Sequence, residues 1–435
     1  MKKLFLLIYF LKISIPSPLI FPFSKKNQYD KKTNFFLYYR ENDFYTNLTL
    51  GNPKTIIPSK LTFFYSPCAI KSSNLKGIYD EKKSKTYNKT NEYQWTFSME
   101  LFLNGFLSKE NIILKNYDNK EILYDNFSFI LVTKLIENIT FPNSITGLKY
   151  EDTYLVREQG LIYQLKQNKL IENHAFTILF NEKNDKEGNL IIGNYPHEYD
   201  SGYNDSYFKT SKLKIFYTEN VFWVIKMDSI IWGNEDLSGF KNMRFVLDIN
   251  AIICPSSHLK SFENFFKQFQ GCKKNSYKNG ILNEFQVYFT CDLNFDINNF
   301  PPVKFISKDF NFTFELNAIE LFIKDEDKFL FLIVINENYD FYWDLGTPFL
   351  KKYQMVFDIE KKLVGFYSYI DEKSKGKKKG SEGKKKPFSF YLSFIFGIII
   401  IVLGFIMYKI LIALPRKRRA NELIDDYEYF NNEIN

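Results

Sequence analysis

The chain has 435 residues, of which 45% are hydrophobic and 19% aromatic, enough apolar side chain to fill the cores of two domains and too much for a disordered chain. Its formal net charge of +8 would point to an anionic partner, but eight lysines fall in one stretch, Lys373 to Lys386, and three more are Lys2, Lys3 and Lys12. The remainder is close to neutral, so no nucleic-acid-binding surface is expected.

At the start, MKKLFLLIYFLKISIPS (residues 1–17) has two lysines, an apolar core from Leu4 to Phe10, then small and helix-breaking residues, the layout of a secretory signal peptide. That core is too short to span a bilayer. From about Tyr38 to Tyr369 the chain reads as short apolar runs broken by turns. NIILKNY, FSFILV, GNLIIGNY, FWVIKMDSIIWG and YQMVFDIEKKLVGFY are examples, and they predict an all-β body. Two helices interrupt it. One is a short stripe over Gly160 to Ile171. The other carries Phe262, Phe265, Phe266 and Phe269 at helical spacing, with Ser261 placed to cap its start and Gly271 its end.

Four cysteines allow two bridges at most. Cys272 and Cys291, which bracket a short loop, are the preferred pair, while Cys68 and Cys254 either pair or stay reduced. There is no C-x-x-C, and His174, His197 and His258 show no metal-ligand spacing, so no metal or other cofactor is expected. Cys254 and His258 read as independent residues and not as a nucleophile pair. Neither a phosphate-binding glycine loop nor a G-x-S-x-G elbow occurs.

Six N-x-[ST] sequons, at Asn47, Asn88, Asn126, Asn138, Asn204 and Asn311, fit an exported glycoprotein. Phe388 to Tyr408 is free of charge, and 21 residues at 1.5 Å each cover about 30 Å, the hydrocarbon thickness of a bilayer. With the signal, this predicts a single-pass type I membrane protein: a Lys-rich linker over 371–386, a transmembrane helix over 387–409 and a cytoplasmic tail over 410–435. The ectodomain is then extracellular or in the lumen of the secretory, endosomal or vacuolar system. The linker is more basic than RKRR at Arg416 to Arg419, against the positive-inside tendency, but a cleaved signal fixes orientation. YEYF, Tyr427 to Phe430, fits a tyrosine-based sorting signal.

The end of the body, FYWDLGTPFLKKYQMVFDIEKKLVGF (Phe341 to Phe366), resembles the terminal segment of pepsin-like aspartic proteases, the peptidase A1 family. Other stretches resemble that family in its own order. These are FYTNLTLGNP from Phe44, SITGLKYE from Ser144, GLIYQLKQNKLIENHAFTILFN from Gly160, GNLIIGNYPHEY from Gly188, FWVIKMDSIIWG from Phe222, and Cys272 and Cys291 followed by FPPVKF. The resemblance implies a bilobal all-β fold, with an N-terminal β lobe over 38–205, a C-terminal β lobe over 206–370 and a peptide-binding cleft between them.

The resemblance also implies one catalytic Asp per lobe, each in a D-[TS]-G-[ST] turn. One ionised carboxylate activates a water while the other, protonated, polarises the scissile carbonyl, and repulsion makes them share one proton. In the second lobe the turn reads DINA, so Asp248 matches the catalytic Asp. Ile249 replaces the hydroxyl residue, and Asn250, which tolerates a left-handed backbone, replaces the glycine. In the first lobe, KLTFFYSPCAI puts Phe64, Tyr65, Ser66 and Pro67 at the motif, and no Asp or Glu occurs from Phe44 to Tyr79. On the flap, Ser98 falls where the family has its tyrosine, and Met99 and Leu101 replace glycines.

Facing apolar Phe64, Asp248 is expected to have a raised pKa. The chain is therefore read as a membrane-anchored pepsin-like protein that has lost its peptidase activity and retains a cleft for peptide or protein ligands. The alternatives are an active endopeptidase using another carboxylate, such as Asp344, and a structural surface glycoprotein with a closed cleft.

Overall fold

The computed structural model describes residues 16–26, 31, 35–97, 102–135, 141–149, 160–184, 186–214, 223–279, 284–337 and 341–377. The signal peptide through residue 15, flap residues Ser98, Met99 and Leu101, Asn138, the span over 387–409 and the tail lie outside them. Among the described residues no helix is long and apolar enough to cross a membrane.

The first strands are β1 (Leu19–Lys26), β2 (Asp43–Leu50), β3 (Thr55–Thr62), β4 (Cys68–Lys71), β5 (Asn88–Phe97), β6 (Phe102–Lys115), β7 (Glu121–Leu135) and β8 (Ser144–Gly147). Next come β9 (Ala175–Phe180), β10 (Glu187–Ile192), β11 (Phe208–Lys212), β12 (Val224–Lys226), β13 (Ser229–Trp232), β14 (Glu235–Asp236), β15 (Asn242–Phe245), β16 (Ile252–Pro255), β17 (Cys272–Asn279) and β18 (Glu284–Asp292). The last are β19 (Val303–Ser307), β20 (Phe312–Leu316), β21 (Phe322–Lys324), β22 (Lys328–Phe331), β23 (Ile333–Asn336), β24 (Trp343–Leu345), β25 (Val356–Asp358) and β26 (Leu363–Tyr367). Helices that bear on the site are α1 (Phe35–Arg40), α2 (Leu161–Gln167), α3 (Leu259–Phe266) and α4 (Thr347–Tyr353).

A thirteen-stranded sheet runs β11-β26-β25-β9-β10-β1-β2-β3-β8-β4-β7-β6-β5. A second runs β12-β15-β24-β16-β23-β18-β22-β21, with β17 on β18, and a four-stranded sheet runs β14-β13-β19-β20. The mostly β architecture agrees with the expected pepsin-like fold.

Strand β1 changes the expected start of the body. Leu19, Phe21 and Phe23 are buried while the residues between them are more exposed, the period of a strand with one core face. It is inserted between β10 and β2, with Phe21 opposite Leu190. Pro22 is tolerated because pairing with β2 begins one residue later, at Phe23. The folded body therefore includes Leu19 and does not begin near Tyr38.

The large sheet joins the two halves of the chain near its β11 end. There β9 pairs with β25, placing Phe176 opposite Phe357. Their rings stack at 5.0 Å, and Phe63, Trp223 and Phe245 close around Phe357 at 5.1, 5.0 and 5.6 Å. Burying each such side chain stabilises the fold by roughly 1.5–3 kcal/mol, so the chain leading into both turns rests on one aromatic hub.

Helix α3 buries Phe262 and Phe266, with Phe265 and Phe269 partly buried beside them. It begins at Leu259, directly after a 3-10 turn over Ser256–His258, so Ser261 lies inside it and does not cap it. Cys272 and Cys291 are opposite each other in the β17–β18 ladder and form a disulfide. Cys68 and Cys254 are buried, reduced thiols. Residues 371–377, expected as linker, fold against the body: the Asp371 N–H donates to the Gly202 carbonyl at 2.9 Å, and the Ser201 N–H donates to that of Lys377 at 3.0 Å.

Candidate functional site

Two copies of one local design build the site. Strand β3 runs parallel to β8 with Thr62 opposite Gly147, and β15 runs parallel to β24 with Phe245 opposite Leu345. Each strand then turns and returns on the far side of its partner. Strand β4 lies antiparallel to β8 and parallel to β7, and β16 lies antiparallel to β24 and parallel to β23. Cys68 opens β4 opposite Thr146, and Ile252 opens β16 opposite Leu345. Counting back equally from these two residues matches Phe64 with Asp248.

The backing glycines give the same match. A Cβ on Gly147 would lie 2.4 Å from the Tyr65 carbonyl oxygen, and one on Gly346 would lie 2.6 Å from that of Ile249 and 2.2 Å from that of Ala251. Only a residue without a Cβ admits such an approach. Tyr65 thus corresponds to Ile249, and the residues before them are again Phe64 and Asp248.

Asp248 is buried, and its Oδ2 accepts the Phe63 N–H at 3.2 Å, reaching across to the first turn. Half-buried Phe64 packs on Val246, Ile249 and Ile253 on one side and on the group around Tyr65, Ala69 and Ile130 on the other. The residue at the place matched to Asp248 is therefore a phenylalanine held among apolar side chains of both turns. Ile249 has no hydroxyl with which to tie turn to turn, and Asn250 ties its turn to the helices instead. Its N–H donates to the Arg40 carbonyl at 2.6 Å, its Nδ2 to that of Tyr39 at 3.2 Å, and its Oδ1 accepts from Thr347 Oγ1 at 2.7 Å. Asn250 does this without adopting positive φ.

Asp344, the other carboxylate considered, is committed elsewhere. Arg244 lies directly opposite it in the β15–β24 register and holds it with Nε–Oδ1 at 2.8 Å and Nη2–Oδ2 at 2.6 Å, both residues being buried. The guanidinium also lies 5.8 Å from the ring centres of Phe64 and Tyr342. Burial pushes the Tyr342 phenol above its ordinary value, with the Arg244 charge opposing, so it stays neutral at physiological pH. Sequence reasoning missed Arg244; the only signal was a second isolated charge in the run NMRFVLD.

A cavity of about 440 Å³ is lined by Asn250 of this turn together with Phe180, Phe322, Leu332, Pro348 and Gln354 among others, and neither Asp248 nor Phe64 borders it. Among the described residues no group of His, Cys, Asp and Glu side chains could hold a metal ion. Asn47, Asn88, Asn126, Asn204 and Asn311 are all exposed.

A family model described as eukaryotic aspartyl protease matches residues 46–369. Plasmepsin I of Plasmodium falciparum is 23% identical over 314 residues, covering 67% of this chain and 59% of its own length. Plasmepsin IV of the same organism is 26% identical over 306 residues, covering 67% and 60%. Pepsin II-1 of Oryctolagus cuniculus is 21% identical over 375 residues, covering 82% and 88%. The chain thus spans about three-fifths of the length of the plasmepsins it matches. With the doubled turn design, the aromatic hub beneath it and a family match over most of its length, the chain belongs to the eukaryotic aspartyl protease family, peptidase A1.

Proposed function

We propose that this is a membrane-anchored pepsin-like protein without peptidase activity, exported and glycosylated, whose scaffold serves to bind peptides or surface partners. The observation that supports this most is Phe64, an apolar ring at the place matched to Asp248. Water activation and carbonyl polarisation need two carboxylates sharing a proton, and one acid facing a phenyl ring cannot do both. Asp344 offers no substitute, because leaving Arg244 unpaired in a buried site is strongly unfavourable.

The closed-cleft reading, a structural glycoprotein, is favoured by one feature: Phe64 packs on apolar groups from both turns at once. Incubating the intact protein with a diverse peptide pool at acid and neutral pH, and scoring cleavage and retention separately, distinguishes these readings. The binder reading expects no cleavage above buffer by wild type or Asp248→Asn, together with retention of a peptide subset. Retention of nothing favours the structural protein. Wild-type cleavage that disappears in Asp248→Asn would establish an active endopeptidase, since loss of a catalytic acid or base lowers turnover by orders of magnitude.

A further inference from the structure

We infer that an N-linked sugar chain on Asn47 lies flat over an apolar strip on the sheet of the first half, covering Ile56, Ile113 and Leu123; this rests on the exported, glycosylated reading above. The strip follows from strand register. Thr49 of β2 stands opposite Ile56 of β3 on one side and Ile113 of β6 on the other, and Ile113 stands opposite Leu123 of β7. Four neighbouring strands therefore carry these residues in one row, adjacent members being about 5 Å apart.

The row points outward. Its chain neighbours Leu48, Leu50, Ile57, Ile112 and Leu114 are buried, whereas Ile56 and Leu123 are 60% and 59% exposed and Thr49 and Ile113 are half-buried. Lys54, in the turn before β3, reaches Glu121 at the start of β7 with Nζ–Oε2 at 3.3 Å, so the two ends of the row belong to one continuous patch. Single exposed aliphatic residues need no explanation, but an aligned row on a sheet face marks a surface that something covers.

What selects the sugar as the cover is the place of Asn47. It precedes Thr49 by two residues on β2, so the asparagine and the threonine of its sequon share the outward face, and Asn47 is exposed. Ile56 and Ile113 both stand opposite Thr49, so each lies diagonally from Asn47 at about 7–8 Å, within the span of a disaccharide. Pro58, directly opposite Asn47, carries the apolar surface up to the point of attachment. The link forms when Asn47 Nδ2 takes C1 of the sugar from a lipid-linked diphosphate donor: the bond from C1 to the diphosphate oxygen breaks, and the hydrogen lost from the amide leaves with the diphosphate. Pyranose rings present C–H faces and N-acetyl methyls as well as hydroxyls, so a chain lying flat removes the row from water while remaining solvated itself.

The test uses the full chain made in cells that glycosylate exported proteins and purified in detergent. Peptide mass mapping reads which sequons carry sugar, and hydroxyl-radical footprinting reads how fast single side chains are oxidised. Ile56, Ile113 and Leu123 are expected to oxidise about threefold more slowly in wild type than in Asn47→Gln, because a covered side chain loses its contact with water. Ile319, 81% exposed in the second half, should not change, and Asn311→Gln should leave every rate as in wild type. Enzymatic release of the sugar from folded wild type should raise the same three rates, which frees the result from how well the variant folds. Asn47 occupied, with the three side chains oxidised equally fast whether or not its sugar is present, overturns this inference alone, as does sugar at other sequons with Asn47 bare. Slow oxidation that persists in Asn47→Gln also overturns it, and a doubled particle mass would then name a second copy as the cover. A chain with no sugar at any sequon overturns the glycosylated reading and this inference with it.

Discussion

Asp248 accepts a hydrogen bond from the Phe63 N–H, and asparagine would keep an acceptor oxygen there without a buried charge. Asp248→Asn is accordingly expected to leave thermal stability unchanged or slightly raised, and a marked fall in the unfolding midpoint would show that the charge itself is structural. Arg244 and Asp344 should behave oppositely. Removing either alone leaves an uncompensated buried charge and is expected to cost about 3–5 kcal/mol, whereas replacing both with Met and Leu should be neutral or stabilising. Denaturant titration of the two single variants and the double variant checks the pair. Asp248 and Phe64 are singled out by the sequence because neighbouring motifs fix their place. Arg244 was not, because its partner lies 100 positions away and no local pattern announces a cross-strand ion pair. Cys68 adds a pH dependence. Burial pushes its thiol up to about 12. A folded-state pKa above the unfolded value gives stability that is complete below the unfolded pKa, near 8.5, and is lost as pH rises towards 12, by about 1.4 kcal/mol per unit. Cys68→Ala should lose stability less steeply than wild type over that window when unfolding midpoints are compared at pH 8 and 10. Parallel slopes would show that the thiol does not contribute.

Among the elements, β1 shows where the sequence reading failed and why. Its alternation of Leu19, Phe21 and Phe23 is only a few residues long, follows directly on the apolar core of a signal peptide and contains Pro22, so it reads as leader and not as strand. The strand is specified by its neighbours: β10 and β2 leave a place with Leu190 and Thr46 on either side, and no local periodicity reports that place. If β1 belongs to the core, Phe21→Ala is expected to destabilise the body by about 3–5 kcal/mol. If residues 19–26 were an appended leader, the same change would have no effect, and a denaturant midpoint separates the two outcomes. Helix α3 presents the reverse case. Its aromatic stripe was plain because four phenylalanines recur at helical spacing, but its start was misread, since the 3-10 turn over Ser256–His258 feeds straight into Leu259 and leaves no capping position at Ser261. The β17–β18 hairpin was readable from its ends, because cysteines opposite each other close a loop that the ladder continues.

At the scale of the molecule, the order of family-like stretches was legible while the means of joining the two halves was not. Strand β9 comes from one half of the chain and β25 from the other, and their pairing places Phe176 against Phe357 with Phe63, Trp223 and Phe245 around them. Each of those aromatics sits in an ordinary apolar run, so the sequence shows that they are buried but not that they meet. The meeting has a consequence for unfolding. If one hub supports both turns, neither half can open without exposing Phe357, and the body should melt in a single calorimetric transition whose van't Hoff and calorimetric enthalpies agree. Phe357→Ala removes the ring they share. The direct cost is about 3–5 kcal/mol, as for other buried phenylalanines. The larger effect should be on cooperativity: the first half keeps Phe63 against Phe176, the second keeps Phe245 against Phe349, and of the hub's contacts between them Phe176 against Trp223 is left while those through Phe357 are gone. Two resolved transitions are therefore expected in the variant, the Cys272–Cys291 bridge favouring the second half as the later to melt, because it restricts the unfolded state of that half alone. Reducing agent should move only the later transition. A Phe357→Ala protein that still melts in one step, merely at lower temperature, would show that the coupling runs through the sheet's backbone ladder and not through the aromatic hub.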